Sequence, residues 1–526
     1  LSARFCARRF TPLARLVQIA HMKPDDAYQQ LLARIREIAM LGSINALLGW
    51  DEHVYQPPGG TDHRANQQSL IARLAHERFI SPQIGDFLGN IEESGLASGE
   101  EFSDLAVNVR EIRRSYDRAR KLPTTLVEEM THTRVLAQAA WVEAKKKSHF
   151  PTFQPWLDKT LQLKRKEAAC VGYTANPYDA LLDEYEPGET AAGVQKVFDS
   201  FRKQLVELIA KISASPRKAP LEILERKYPT QLQDRLSRQA AAQVGFDFTA
   251  GRLDVTVHPF CDGIGPGDTR MTTRFDENNF GDAFFSVLHE TGHALYEQGL
   301  PKAEHFGLPI AESISLGIHE SQSRMWENLV GRSGAFWTFF FPKTRDTFGE
   351  VIKDVGEKDW LFAINDVRPS LIRTEADETT YNLHIMLRFE LEQAMLADQI
   401  KPHDVPAAWN DRMREFFDLT PPDDARGCLQ DIHWSLGSFG YFPTYALGNL
   451  YAAQFFEQAR SDLGDLDAML AAGNFAPLLD WLREKIHRHG KRYTARQLIQ
   501  RVTGKDLSAE PLLRHLRAKA AEYYRV

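Results

Sequence analysis

His289-Glu290-Thr291-Gly292-His293 decides how this chain is read, because it puts two imidazoles and one carboxylate at the spacing of a catalytic metal helix. Residues four apart on an α-helix lie one above the other, so His289 and His293 can close on a single ion. Glu290 is turned about 100° from His289 and can flank the ion without ligating it, the place of a base that deprotonates a metal-activated water. Zinc lowers the pKa of such a water from about 16 to around 7. The pentapeptide also arises by chance on solvated helix faces, so its surroundings matter. Asp282 is the expected N-cap, Phe284, Phe285, Leu288 and Leu295 form an apolar stripe at helical spacing, and Gly299 with Pro301 marks the stop.

Directly upstream the period changes from helical to alternating. Leu253, Val255 and Val257 alternate with Asp254, Thr256 and His258 before Pro259, and Thr269 to Phe275 is a second β-prone run after Gly263-Ile264-Gly265-Pro266-Gly267. Two short strands should form a small sheet beside the metal helix. Its edge would hold an extended peptide, or the pair would be a hairpin that merely packs on the helix. Elsewhere the pattern is helical. Tyr28, Leu31, Leu32, Ile35 and Ile38 mark one face after Pro24-Asp25-Asp26, in a helix that ends near Gly42 or continues towards Trp50, and Pro57-Pro58-Gly59-Gly60 breaks it. Charged helical patterns fill 61–215. Their basic stretches, around Arg110 to Lys121 and Lys145 to Lys147, read as solvated helix faces. The expected class is mainly α, a large helical body with a small β-sheet beside the zinc helix. No repeat or Gly/Ser-rich linker divides it, so 22–526 reads as one domain, with 22–215 as a helical N-terminal part and 246–445 carrying the motifs.

A chain of 526 residues with 43% hydrophobic content buries a large core without disulfides. Cys6, Cys170, Cys261 and Cys428 form no C-x-x-C pair, which argues against a thiolate zinc site and for a reducing, cytoplasmic setting. A formal net charge of −7 gives no electrostatic reason to expect nucleic acid. No apolar run approaches the roughly 18 to 20 residues that span a bilayer. Residues 1–21 carry Arg4, Arg8, Arg9 and Arg15 but no acid, and are set aside as a Ser-poor transit peptide or a cloning or upstream-translation remnant before Met22.

Two histidines leave a catalytic zinc one protein ligand short, and no His lies six residues beyond His293, where Gly299 stands. A carboxylate from a later helix is needed. Glu312 lies 19 residues past His293 and Glu320 lies 27 past it, and spacing alone hardly separates them. The polar setting His319-Glu320-Ser321-Gln322 favours Glu320, while His319 itself is either a ligand or a packing and hydrogen-bonding residue.

With these residues in view the chain resembles the carboxypeptidase Taq family of zinc metallocarboxypeptidases. The family's patterns occur in order as His258-Pro259-Phe260, Asp268-Thr269-Arg270-Met271-Thr272, the metal pentapeptide, His319-Glu320-Ser321-Gln322, Ile372-Arg373-Thr374-Glu375-Ala376-Asp377 and Gly427-Cys428-Leu429-Gln430-Asp431-Ile432-His433-Trp434. Trp50-Asp51 and Pro57 to Gly60 also look like the family's N-terminal region. The resemblance implies a helical body with a deep groove roofed by N-terminal helices, one zinc ion per chain that cobalt can replace, a homodimer, and release of single residues from peptides with a free C-terminus. It assigns His289, His293 and Glu320 to the metal and Glu290 as general base, settling Glu320 over Glu312 by analogy.

A carboxypeptidase must also recognise a terminal carboxylate, for which a guanidinium fork is well matched. Arg373, at the family's arginine position, is the expected binder, held by Glu375 and Asp377 or else merely ion-paired with Asp377 along a helix; Arg270 is the fallback. Oxyanion donors are sought in Asp431 to Tyr445, where His433 and Tyr441 are candidate catalytic residues, Tyr445 a candidate substrate contact, and Asp431 the group expected to fix the tautomer of His433. Trp434 and Phe442 read as groove wall or core, and His258 shapes a turn or borders the substrate cleft. The rivals are an oligoendopeptidase or dipeptide-releasing enzyme on the same chemistry, and a non-catalytic, metal-stabilised peptide-binding protein.

Overall fold

Pro24, whose ring removes only an N–H that a helix start leaves unbonded, opens α1 (Pro24–Val54), with Asp25 and Asp26 against the positive end of the helix dipole. The computed structural model describes residues 22–526, so the reading of residues 1–21, Cys6 included, lies outside the described residues. Tyr28, Leu31, Leu32 and Ile35 are buried and Ile38 half-buried, as the periodicity requires. Gly42 does not end α1, since one helical glycine costs only about 1 kcal/mol. A 3-10 turn at Pro58–Gly60 leads into α2 (Thr61–Phe79). The buried face of α1 packs on Ile84, Phe87 and Leu88 of α3 (Pro82–Glu93) and on Val107, Ile112 and Tyr116 of α4 (Asp104–Lys121). Leu308 and Ile310 complete this cluster, which is separate from the main core.

The basic stretches are more than solvated faces. Arg113 on α4 pairs with Glu92 at 2.7 Å, and Arg118 with Glu167 at 3.3 Å and Glu184 at 3.1 Å. On α5 (Thr124–Lys147), Lys147 pairs locally with Glu143, but Lys145 Nζ donates to the Gln430 carbonyl at 2.9 Å and Trp141 Nε1 to that of Leu429 at 3.0 Å. An exposed-looking helix thereby braces the loop that carries His433.

The structure is 68% helical and, among the described residues, holds one small sheet. Both expected strands exist, as β1 (Gly251–Val255) and β3 (Asp268–Thr273), with β2 (Cys261–Gly265) between them in sequence. The order is β1-β3-β2, with β3 parallel to β1 and antiparallel to β2. The two predicted strands are therefore not a hairpin; β2–β3 is. Strand β2 escaped notice because Cys-Asp-Gly-Ile-Gly has the composition of a turn.

The helix that carries the His289–His293 pentapeptide is α6 (Phe280–Gly299), followed by Leu300 and Pro301. Asn279, not Asp282, is its N-cap: the Asn279 side chain accepts from the Asp282 N–H at 3.1 Å. Asp282 sits in the first turn and pairs with Arg274 at 2.7 Å. Phe284, Phe285, Leu288 and Leu295 are all buried, and Thr291 Oγ1 reaches Met271 Sδ of β3 at 3.6 Å. This places the sheet directly against the helix.

Candidate active site

Two close approaches assemble the site. A Cβ on Gly292 would lie 2.4 Å from the Gln322 carbonyl oxygen, so only glycine lets α7 (Leu316–Arg324) cross α6 between the two histidines. A Cβ on Gly448 would lie 2.6 Å from Glu320 Cγ, so the helix behind α7 also leaves space for that side chain. Glu320 Oε2 then stands 3.4 Å from His293 Nε2 and 3.7 Å from His289 Nε2. The potential ligand atoms of these three residues all lie within 4.8 Å of one another. Bonds of about 2.0–2.2 Å to a tetrahedral ion put ligand atoms roughly 3.3–3.6 Å apart, so the set fits a zinc-sized ion. Glu312 is excluded from this cluster by its ion pair with Lys491.

Residues absent from the sequence motifs orient two of the three, His289 and Glu320. Glu327 Oε2 accepts from His289 Nδ1 at 2.9 Å, leaving Nε2 for the site. Arg324 donates to Glu320 Oε1 at 2.6 Å and to Glu327 Oε2 at 3.1 Å, while Ser323 Oγ donates to Glu320 Oε2 at 3.0 Å. Burial would raise the Glu320 carboxyl, but Arg324 and the two histidines hold it well below the usual carboxylate range. Glu327 lies in a π-helical segment, Met325–Val330, that continues α7. The wider turn redirects its side chain to α6, which helical periodicity cannot foresee.

Glu290 is buried, and among the described residues no group hydrogen-bonds its carboxylate. Burial, opposed by His289 and reinforced by the negative charge of Glu320, raises it to about 7. The His293 imidazole is pushed down to about 4, chiefly by burial, so it is a neutral donor at pH 7.

Arg373 lies in a 3-10 turn at Arg373–Glu375, not in a helix, and neither Glu375 nor Asp377 holds it. The Asp377 side chain accepts instead from Thr379 N, Thr380 N and Thr380 Oγ1. Arg373 is 7% exposed and bonds Asp431 Oδ1 at 2.9 Å through Nε and Nη2, and the Tyr381 hydroxyl at 3.0 Å through Nη1. Arg388 on α8 (Tyr381–Leu396) takes the other oxygen of Asp431, at 2.7 Å from its Nε. Asp431 is thus shared by two guanidiniums and does not hydrogen-bond His433, contrary to expectation. Among the described residues His433 Nδ1 is buried without a partner, and Nε2 lies 3.4 Å from the Tyr445 hydroxyl. Tyr381 couples the two halves, since Arg324 stacks on its ring at 4.4 Å. Tyr441 and Tyr445 both feel the charge of Glu320, and burial above all raises their hydroxyls, which remain protonated donors.

Arg270 on β3 forms a bidentate pair with Asp268 at 2.7 and 2.8 Å and stacks on Trp50 at 4.3 Å. His258 is exposed beyond β1. Trp434 and Phe442 are buried, and the Trp434 indole donates to Glu392 at 3.0 Å. Phe442 packs on the His433 ring, with centroids 4.4 Å apart, and lies beside Arg373.

The N-terminus of α7 rests on a carboxyl that is wholly buried. Glu186 accepts from Ser315 Oγ at 2.9 Å, Gly317 N at 3.1 Å and Tyr451 OH at 3.1 Å, and burial raises it to about 7. The folded state therefore keeps a proton that the unfolded chain, near 4.5, has released. Stability falls as pH rises between these values. A shift of this size corresponds to on the order of 3 kcal/mol. Gln can keep the Gly317 bond and donate to the two hydroxyl oxygens, so Glu186→Gln should stay stable through this window. Urea unfolding at pH 5 and pH 8 checks this; equal pH slopes for the two proteins would refute it.

The sequence pattern of the carboxypeptidase Taq (M32) metallopeptidase family matches residues 30–520. The chain belongs to that family. It is 47% identical over 513 residues to thermostable carboxypeptidase 1 of Thermus thermophilus, covering 96% of this chain and all of that one. Carboxypeptidase 1 of Bacillus subtilis is 37% identical over 494 residues, 93% of this chain and 97% of that one. The crystal structure of the M32 carboxypeptidase from Deinococcus radiodurans R1 superposes with a TM-score of 0.91 at 40% identity, over 95% of this chain and all of that one. The M32 chain is accordingly a metallocarboxypeptidase, a hydrolase acting on peptides with a metal ion. Among the described residues no helix is long and apolar enough to cross a membrane, and Cys170, Cys261 and Cys428 are free thiols.

Proposed function

We propose that the chain is a zinc carboxypeptidase releasing single C-terminal residues, with His289, His293 and Glu320 holding one ion that cobalt can replace. The observation that carries this reading is the convergence of two Nε2 atoms and Glu320 Oε2 beside the buried, unpaired carboxylate of Glu290. When bound, the ion supplies a Lewis acid that polarises the scissile carbonyl and activates water near pH 7. Glu290 takes the proton of the attacking water on a carboxylate oxygen and delivers it to the leaving amine; a carboxyl near 7 is matched to both transfers. His433 and Tyr441 face the developing oxyanion as hydrogen-bond donors, and Tyr445 contacts the substrate.

Charge balance favours Arg373 over Arg270 as the reader of the substrate's terminal carboxylate. Among the described residues Asp431 is the one ion-pair partner of both Arg373 and Arg388, so two guanidiniums share one carboxylate. Arg270 is already matched one to one by Asp268. A second carboxylate is therefore attracted to the Nη edge of Arg373, with Arg270 and His258 further out along the cleft. The few, separated thiols support a cytoplasmic setting, and the family resemblance supports a homodimer.

Mass-spectrometric product analysis tests the reading. A free-acid peptide should shorten one residue at a time, its C-amidated twin should be cut far more slowly, and a chelator should stop both until zinc or cobalt is restored. Equal rates on the two peptides would favour the endopeptidase alternative; metal-dependent binding without cleavage would favour the non-catalytic one.

A further inference from the structure

We infer that His319 is a positioning residue that, with Glu297, fixes the tautomer of His293 and thereby sets the metal affinity of the site. His293 Nδ1 is in hydrogen-bond contact with His319 Nδ1, and His319 Nε2 lies 2.8 Å from Glu297 Oε1. A carboxylate can only accept, so the His319 proton resides on Nε2. His319 Nδ1 is then a lone pair, His293 Nδ1 donates to it, and His293 Nε2 is left unprotonated where it faces Glu320. Lys302 pairs with the other oxygen of Glu297 and anchors the chain at its far end. His319 is 17% exposed on its side chain and Glu297 14%, so water competes little for these contacts. His289 is oriented by a carboxylate directly, through Glu327, whereas His293 is oriented by one at a remove, through the His319 ring. His289, His293 and Glu297 succeed one another at intervals of four along α6, so one helix face supplies two ligands and the anchor of the relay.

This inference rests on the proposed role of His293 as a ligand, and its test reads metal binding, not turnover. Zinc affinity is measured by competition with a chromophoric chelator, alongside cobalt absorption of the loaded protein and thermal unfolding of the metal-free protein. His319→Phe keeps the ring volume but removes the acceptor, and should weaken zinc roughly 10- to 100-fold, the range for partners that orient a metal-bound histidine. His319→Gln restores one acceptor and one donor and should recover most of that loss. Cobalt absorption should be the same in both variants as in the wild type, because the ligand set is unchanged. Wild-type affinity in His319→Phe overturns the inference. So does equal loss in both variants with altered cobalt absorption, which would make His319 itself a ligand. Should His319→Phe fail to fold, Glu297→Gln carries the test: weaker zinc binding supports the relay, unchanged binding defeats it. A protein that shows this ladder of affinities yet cleaves no peptide would refute the proposed function while leaving the relay standing.

Discussion

Glu290→Gln should bind zinc as tightly as the wild type and turn over peptide roughly 10²- to 10⁴-fold more slowly, the usual contribution of a positioned acid–base. Its neighbours explain why the two effects separate. The convergent atoms come from His289, His293 and Glu320, each oriented by its own partners, and none of those partners is Glu290. Gln fills the same volume and removes one buried negative charge that no hydrogen bond compensates, so the fold should tolerate it. What it cannot do is receive a proton. The loss corresponds to about 3–5 kcal/mol of transition-state stabilisation and should appear in kcat, with KM little changed. A chelator titration with steady-state kinetics on one free-acid peptide decides the matter. If the variant retains near wild-type kcat, Glu290 is not the base; if it loses metal, its role is structural.

The part of this site legible in sequence is the part that helical spacing encodes. His289, Glu290 and His293 sit where the i, i+4 rule puts them, and the alternation at Leu253–Val257 foretold a strand whose neighbours pack on that helix. Groups joined across long separations were not legible. Arg373 was expected to find partners two and four residues away, but its carboxylate is Asp431, 58 positions on. Local spacing predicts contacts only inside a regular element, and Arg373 occupies a short 3-10 turn. The same limit hid Tyr381, which joins Arg324 to Arg373, and Lys145, whose partner is a backbone carbonyl 285 positions away. Glu297 is a different case. It follows His293 by four residues on the same helix, so the spacing that pairs His289 with His293 also reaches Glu297. Asn279 and Asp282 show a third limit, since either residue type caps a helix and only the backbone path decides between them.

Asp431→Asn should destabilise the protein by about 3–5 kcal/mol, the typical result of removing one partner from a buried ion pair. Arg388 is fully buried and Arg373 nearly so, and together they have one carboxylate. An amide still accepts on one side but turns an NH2 towards the other guanidinium, where donor meets donor. Burial alone would raise the Asp431 carboxyl, yet Arg373 and Arg388 hold it far below its ordinary value. Its stabilisation is therefore fully present above the unfolded-chain value near 4 and is lost progressively as pH falls from there through the much lower folded value, so the gap between wild type and variant should narrow in acid. Removing the second charge separates electrostatics from packing. Arg388→Met in the Asp431→Asn background should recover part of the stability, because one unpaired buried cation then remains instead of two. Urea denaturation of the four proteins at pH 7 and pH 2.5 supplies the cycle. A difference that persists unchanged in acid, or a double variant less stable than the sum of the single losses, would mean that Asp431 stabilises by shape, and the charge argument that selects Arg373 as the carboxylate reader would fall with it.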